Sequence, residues 1–306
     1  MTDLGIVILN WNTRDLLKRC LETVYASEGD FSYHVIVVDN ASSDDSAAMV
    51  REHFPQAQLI VSAVNGGYPY GNNLGLRALG YKDQGKTPDA PRYALLLNPD
   101  TEVPPTGLRD MITFMDANPK IGAAGPKLVL LDGSLDKACR RSFPTPLISV
   151  YHFSGLAKLF PHSPRFARYN MTYLPVDQEA EVDSVVGAYM QVRREAIEAV
   201  GLLDEAFFMY GEDLDWAYRI KSAGWSVVYH PQVVVKHVKR AASRQSQRAQ
   251  IEFWRSMLIF YRKHYRTTTP LWLHSLIMTG LLLKGGRMLW PDIHQPKRQP
   301  ERQPIR

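Results

Sequence analysis

Leu4-Gly-Ile-Val-Ile-Leu9 is an unbroken apolar run rich in branched side chains. Such a run marks a strand buried on both faces. Working outward, residues 13–26 repeat at helical spacing, with Leu16, Leu17, Cys20, Leu21 and Val24 on one face. His34–Val38 predicts a second buried strand, Gln58–Val61 a third and Tyr93–Leu97 a fourth. Ser42 and Ser43 ahead of Asp44 and Asp45 predict a helix start, with the acids favoured by the helix dipole. Pro104-Pro105 predicts the opening of a helix over 104–117. Strands and helices alternating across short loops predict an α/β fold, a mostly parallel central sheet flanked by helices.

The composition suits such a fold. The chain has 306 residues, 45% hydrophobic and 22% charged, which excludes wholesale disorder, a collagen repeat and a disulfide scaffold. Cys20 and Cys139 have no partner at redox or zinc spacing and read as reduced thiols. The net charge of +5 conceals an asymmetry. Residues 1–235 carry 21 Lys+Arg against 28 Asp+Glu, and residues 236–306 carry 15 against 3. Positive charge on an appendage, rather than on the folded body, points away from nucleic acid and fits an anionic membrane surface. No leader with a charged start and apolar core precedes the first strand, so the expected location is the cytoplasm, peripheral on the inner face of the cell membrane.

In open parallel sheets, ligands bind beyond the carboxyl ends of the strands. Four loops there carry polar groups: Asn10-Trp-Asn12, Asp39-Asn-Ala-Ser-Ser-Asp-Asp45, Asn65-Gly-Gly-Tyr-Pro-Tyr-Gly-Asn-Asn73 and Asn98-Pro-Asp-Thr-Glu102. One such loop is ordinary turn chemistry; four in succession on one edge make a site. Neither a dinucleotide fingerprint nor a P-loop occurs. A nucleoside diphosphate held here therefore needs a divalent cation on oxygen ligands, with Asp100 the natural candidate.

These blocks resemble the family 2 glycosyltransferases, most closely their rhamnosyltransferase-like branch. The resemblance continues in order through Gly187-Ala-Tyr-Met190 and Gly201-Leu-Leu-Asp-Glu-Ala-Phe-Phe-Met-Tyr-Gly-Glu-Asp-Leu-Asp215, and covers roughly residues 4–238. It implies a GT-A fold, Mg²⁺ or Mn²⁺, and inverting transfer of a sugar from a nucleoside diphosphate donor. The implied donor-binding residues are Asn10, Asn12, Asp39, Asn40, Asn65, Gly66, Gly67, Asn72, Asn98 and Asp100. Asp39 resembles the acid that contacts the base. Asn98-Pro-Asp100 resembles the Asp-x-Asp motif with its first acid replaced. Asp100 and His237 resemble the metal ligands, and Glu212-Asp213 the motif that supplies the general base. The branch suggests dTDP-rhamnose as donor; UDP and GDP sugars stay open. The acceptor that suits it is a glycan or polyprenyl-linked glycan of the cell envelope. A sugar nucleotidyltransferase and an inactive nucleotide-sugar-binding module are the rival readings. The first lacks a basic, Gly-rich loop after the first strand; the second is disfavoured by the intact Asp39, Asp100 and Asp213.

On a helix from Gly211 to Ala223, neighbours point about 100° apart. Asp213 then shares a face with Trp216, Ala217 and Ile220 and turns toward the body, where desolvation raises a carboxyl pKa and suits a base. Asp215 is expected to pair with Arg219 on a wet surface. His152, His162, His230 and His264 receive no functional reading.

Three further expectations concern organisation. Residues 142–180 read as a long irregular stretch lining the acceptor site, and periodicity returns at Val182–Val192. A strand at Ser226–Tyr229 is followed by a second strand end at Val233–Lys236, and His237 ends domain-like character at 238. The donor-binding half spans about 1–103 and the acceptor half about 104–238. Residues 239–290 then read as a basic amphipathic helical extension. Arg248, Arg255 and Arg262 recur every seven on one face and Ile251, Trp254, Leu258, Tyr261 and Tyr265 form another, so residues 244–290 are expected to touch a membrane surface. Pro270–Leu283 is too short for a span, and 291–306 reads as a disordered tail.

Overall fold

The computed structural model describes residues 1–238, 247–294 and 303–304. Its central sheet is built from β1 (Leu4–Asn10), β2 (Tyr33–Asp39), β3 (Gln58–Val61), β5 (Tyr93–Leu97), β6 (Thr101–Glu102), β7 (Ile121–Val129), β8 (Ala180–Val182), β9 (Tyr189–Arg193) and β10 (Ser226–His237); β4 (Val64–Asn65) stands outside it. The order is β3-β2-β1-β5-β9-β7-β10-β6, with β8 beside β10. β1, β2, β3 and β5 run parallel, as does β7 with β10; β9 is antiparallel to both neighbours. Every residue of β5 is buried, which accounts for its all-apolar sequence.

Helices α1 (Arg14–Tyr25), α2 (Ser46–His53), α3 (Tyr68–Ala78) and α4 (Gly107–Ala117) connect the strands, with α7 (Arg194–Val200) and α8 (Glu212–Ser222) in the second half. α1 buries Leu17, Cys20, Leu21 and Val24, the face its spacing predicts. Two helix starts differ from expectation. Asp44 and Asp45 precede α2 rather than entering its first turn, and Asp44 accepts from the backbone N–H of both Arg14 and Ser46, tying two loops together. Pro104 and Pro105 likewise stop short of α4, which begins at Gly107.

Register positions the site. Asn10 lies opposite Asp39, so both sit at the carboxyl edge of adjacent strands. The two segments expected around Ser226–Tyr229 and Val233–Lys236 are one strand, β10, carried past Pro231 by an irregularity between His230 and Val234. Its last residue, His237, pairs with Thr101 of β6, next to Asp100. The Val182–Val192 segment divides instead into β8 and β9, which lie on different neighbours.

The 142–180 stretch is not wholly irregular. It contains α5 (Pro146–Phe153), capped by Thr145 and opened by Pro146, and α6 (Leu156–Leu159).

The C-terminal helices α9 (Gln247–His264), α10 (Leu271–Gly285) and α11 (Trp290–His294) build a second cluster, in which Met257, Leu258, Phe260 and Leu281 pack with Phe207 and Leu214 of the body. Two sequence expectations fail here. The Asp215–Arg219 pair forms at 2.9 Å, but α9 covers it and Asp215 is fully buried. His264 Nε2 at 2.7 Å and Lys263 Nζ at 2.8 Å complete its shell. The arginine stripe of α9 is also consumed internally. Arg255 pairs with Glu252 and Asp292, Arg262 donates to the Asp292 and Ile293 carbonyls, and Arg248 lies over the Phe208 ring. The stripe therefore fastens helices together instead of facing a bilayer. Residues 239–246, expected in the helical extension, and 295–302 and 305–306, expected in the disordered tail, lie outside the described residues; against that tail expectation, Trp290–His294 is helical and Gln303–Pro304 pairs antiparallel with β4.

Burial opposes the Asp215 charge, yet the His264 hydrogen bond and the Arg219 and Lys263 charges outweigh it and bring its pKa down to about 2. A depressed carboxyl contributes stability present above the ordinary range near ~4 and lost as pH falls through the folded value. Asp215→Asn should cost about 3 kcal/mol at neutral pH, and wild type should lose this contribution between pH ~4 and ~2. Urea unfolding across that pH range checks both; equal stability of the two proteins at pH 7 would remove the pairing from the account.

Candidate active site

At the donor edge, Asn10 Nδ2 donates to Asp39 Oδ1 at 3.1 Å and the Ser42 N–H donates to Asp39 Oδ2 at 3.0 Å. Asn40 Nδ2 donates to Asn65 Oδ1, and Asn40 Oδ1 accepts from the Gly66 N–H. Asn12 Oδ1 accepts from the Ser43 N–H at 2.7 Å. Asn10, Asn12, Asp39, Asn40, Asn65 and Gly66 thus form one hydrogen-bonded shell. Gly67 follows with φ +89°, and a Cβ there would stand 2.3 Å from the Phe208 carbonyl oxygen. Glycine at 67 is therefore explained by the turn and by packing. Asn72 is fully enclosed, and its amide donates to the Tyr68 carbonyl within α3.

A hollow of about 230 Å³ lined by Asn12, Thr13, Arg14, Asp15 and Asp44 lies beside the donor edge. Another, of about 460 Å³, is lined by Asn118, Lys120, Ile121, Glu181 and Ser226, among others. It opens at the amino ends of β7 and β10, the edge where parallel sheets do not place their ligands.

Asn98 and Asp100 follow β5. The Asn98 N–H donates to the Ala188 carbonyl at 3.0 Å, and the Asp100 carbonyl accepts from the Val238 N–H at 2.7 Å. The Asp100 carboxylate is one-fifth exposed, and its Oδ1 lies 3.3 Å from His237 Nε2. The other ring nitrogen, Nδ1, is 2.8 Å from Asp136 Oδ2. Burial alone would lower the His237 pKa, but the hydrogen bonds to Asp100 and Asp136 outweigh it and raise the value.

This donor set fits a divalent cation in part. A second carboxylate behind an imidazole fixes its tautomer and leaves the other nitrogen aimed at the metal position. Asp100 and His237 supply two ligands of suitable chemistry, and Asp136 orients one of them. Among the described residues no group of three or more His, Cys, Asp or Glu is arranged to hold a metal ion, so a bound nucleotide's oxygens and water would have to complete the shell.

The third set gathers around Asp213. Its Oδ2 accepts from Arg141 at 2.6 Å and from the Gly187 N–H at 3.1 Å, and its Oδ1 from the Leu214 N–H at 2.7 Å. Asp213 thus faces inward, as its helical face predicts, but it meets a guanidinium there rather than an apolar wall. The desolvated carboxyl is its neighbour. Glu212 is 6% exposed and its Oε2 has no hydrogen-bond partner. Burial first, then the Asp213 charge, push the Glu212 carboxyl well above the usual carboxylate range. Tyr68 closes the set by donating to the Gly187 carbonyl at 2.7 Å. Burial, followed by the charges of Glu212, Asp213 and Asp100, holds its phenol protonated. Tyr68 and Asp213 thus meet at one residue, Gly187, and the next carbonyl, of Ala188, holds the Asn98 N–H two residues before Asp100.

Sequence reasoning missed Asp136, Arg141 and the linking roles of Tyr68 and Gly187. Asp136 and Arg141 sit 101 and 72 residues from their partners, in segments with no motif of their own. His230 and His264 are structural, against Phe114 and Asp215 respectively.

Comparison with known proteins bears on what this edge does. The description "Glycosyltransferase like family 2" matches residues 2–251. An N-acetylglucosaminyl-diphospho-decaprenol L-rhamnosyltransferase of Mycobacterium tuberculosis is 30% identical over 243 residues, covering 78% of this chain and 77% of that protein. Rhamnosyltransferase WbbL of Escherichia coli is 27% identical, over 74% of this chain and 80% of its own. The mannosyltransferase PcManGT of Pyrobaculum calidifontis, solved with GDP-Man and Mn²⁺, superposes with a TM-score of 0.56 at 16% identity, covering 95% of this chain and 75% of that one. The last likeness concerns the fold.

Arg141 is the feature the sequence did not announce, and its removal is informative. Burial opposes its charge, but Asp213 more than offsets this and raises its pKa. Arg141→Met would leave the enclosed Asp213 carboxylate without its cation and should cost about 3–5 kcal/mol. The Arg141→Met, Asp213→Asn double variant should lose less than the sum of the single losses. Urea unfolding of the four proteins checks this; strict additivity would contradict the pairing.

Proposed function

Because the chain belongs to the family 2 glycosyltransferases, we propose that it moves a sugar from a nucleoside diphosphate donor, with inversion, to a hydroxyl of a polyprenyl-linked glycan at the inner face of the cell membrane. The donor we favour is dTDP-rhamnose; the names of the two curated relatives support rhamnose as the sugar. The name of the mycobacterial relative supports a lipid diphosphate acceptor. The observation that supports the reading is that the Gly187–Ala188 backbone bonds Asp213, Tyr68 and the loop carrying Asp100, whose carboxylate faces His237, while Asp39 ends the strand beside β1.

Asp39 and the asparagine shell position the nucleoside. Asp100 and His237 would hold Mg²⁺ or Mn²⁺, which supplies charge neutralisation for the departing diphosphate. Asp213 takes the proton from the acceptor hydroxyl, whose oxygen attacks the anomeric carbon opposite the leaving group. Arg141 and the Gly187 N–H fix where Asp213 points, and this positioning is a large part of the rate. Burial and the Asp213 charge push the Glu212 carboxyl up to about 8, which favours its neutral form at pH 7 and keeps two like charges from meeting in an enclosed space.

Asp213→Asn should bind donor yet transfer sugar at least ~10²-fold more slowly. Asp100→Ala should lose metal-dependent donor affinity by calorimetry. A panel of nucleotide sugars with Mn²⁺, scored by released nucleotide, identifies the donor and separates transfer from nucleotidyl transfer and from inert binding.

The unpartnered, desolvated Glu212 supports a second reading in which it is the base. Glu212→Gln separates the two, because the amide mimics the protonated acid. Retained turnover assigns the base to Asp213, and a loss of ~10² or more assigns it to Glu212.

A further inference from the structure

Eleven of the sixteen large hydrophobic side chains standing out to solvent among the described residues fall within 146–176 and 265–291. Leu147 and Phe153 belong to α5, Leu159 to α6, and Leu271, Trp272 and Leu283 to α10. They are not scattered through the fold, because α5 lies against both α6 and α10. Concentrated exposure of this kind marks an interaction surface.

Charge identifies the occupant. The same two segments carry Lys158, Arg165, Arg168, Arg266, Lys284 and Arg287 and no Asp or Glu. The flanking acids Asp177 and Asp292 are paired with Lys127 and Arg255. A protein partner would bring its own mixed rim, whereas apolar side chains set among cations match the acyl boundary and headgroups of an anionic leaflet. Trp272 and Trp290, both more than half exposed, suit the depth at which tryptophan settles in a bilayer. No helix among the described residues is long and apolar enough to cross a membrane, so the surface would lie on the bilayer.

We propose that α5, α6, α10 and the start of α11 form a docking face for an anionic lipid bilayer. The proposal rests on the lipid-linked acceptor reading and moves the contact from the α9 arginines, which are already paired, to this face. The placement suits that acceptor. Arg141 holds Asp213, and α5 begins five residues later, within ~18 Å along the chain. A lipid diphosphate in the leaflet would present its sugar hydroxyl close to Asp213.

The test uses the full chain in flotation with phosphatidylcholine vesicles, with and without phosphatidylglycerol. Wild type should bind the anionic vesicles and release as salt rises. Trp272→Glu with Leu283→Glu should reduce binding at least tenfold, and Lys284→Glu with Arg287→Glu should abolish the preference for phosphatidylglycerol. All four positions are exposed, so thermal melting should match wild type. Nucleotide release from the donor with Mn²⁺ should also be unchanged in these variants, which separates failure of docking from failure of the glycosyltransferase reading. Undiminished vesicle binding by the variants overturns the proposal. So does an absence of binding by wild type, or the finding that the substitutions only turn a dimer into a monomer in sedimentation.

Discussion

The backbone of Gly187 joins the two halves of the site. Its N–H donates to Asp213 and its carbonyl accepts from Tyr68, while the next residue's carbonyl accepts from the Asn98 N–H. One loop entering β9 therefore ties the α8 acids, the α3 start and the loop after β5 to fixed positions. A Cβ at 187 would come within 2.7 Å of the Tyr68 hydroxyl, so only glycine allows both bonds at once. Groups from distant parts of the chain are held in register by one short stretch of backbone. That rigidity is what positioning catalysis requires.

The same economy explains the division of labour among the carboxylates. Asp39 accepts two hydrogen bonds, Asp100 meets one imidazole and stays open to solvent, and Asp213 is gripped by a cation and two N–H groups. Glu212, one residue away on the helix, receives none of these partners at Oε2. Environment rather than residue type distinguishes the four. Asp215 extends the point: two positions beyond Asp213 on the same helix, it serves as an anchor for α9.

What could be read from the sequence follows from what is local. The continuous apolar runs named β1, β2, β3 and β5, and the loops after them named the edge, because burial and turn chemistry act over a few residues. The family blocks ordered those loops correctly. Asp136 and Arg141 were invisible because their meaning lies in contacts across the fold. The Asp215–Arg219 pair and the α9 arginines were misread for a single reason: a helical wheel shows which residues share a face, not what covers it. α9 covers the first, and α11 with the body consumes the second. The 142–180 stretch looked irregular because its many prolines hide a short helix that Pro146 in fact initiates.

The central claim is that Asp100 and His237 would hold the divalent cation that neutralises the donor diphosphate, leaving Asp213 for the acceptor. Anomalous diffraction from crystals grown with Mn²⁺ and dTDP tests it most directly. The expected result is one manganese peak beside Asp100 and His237, with the thymine beside Asp39. A manganese ion on Asp213, or a nucleotide seated in the hollow by Lys120 and Glu181, would contradict it.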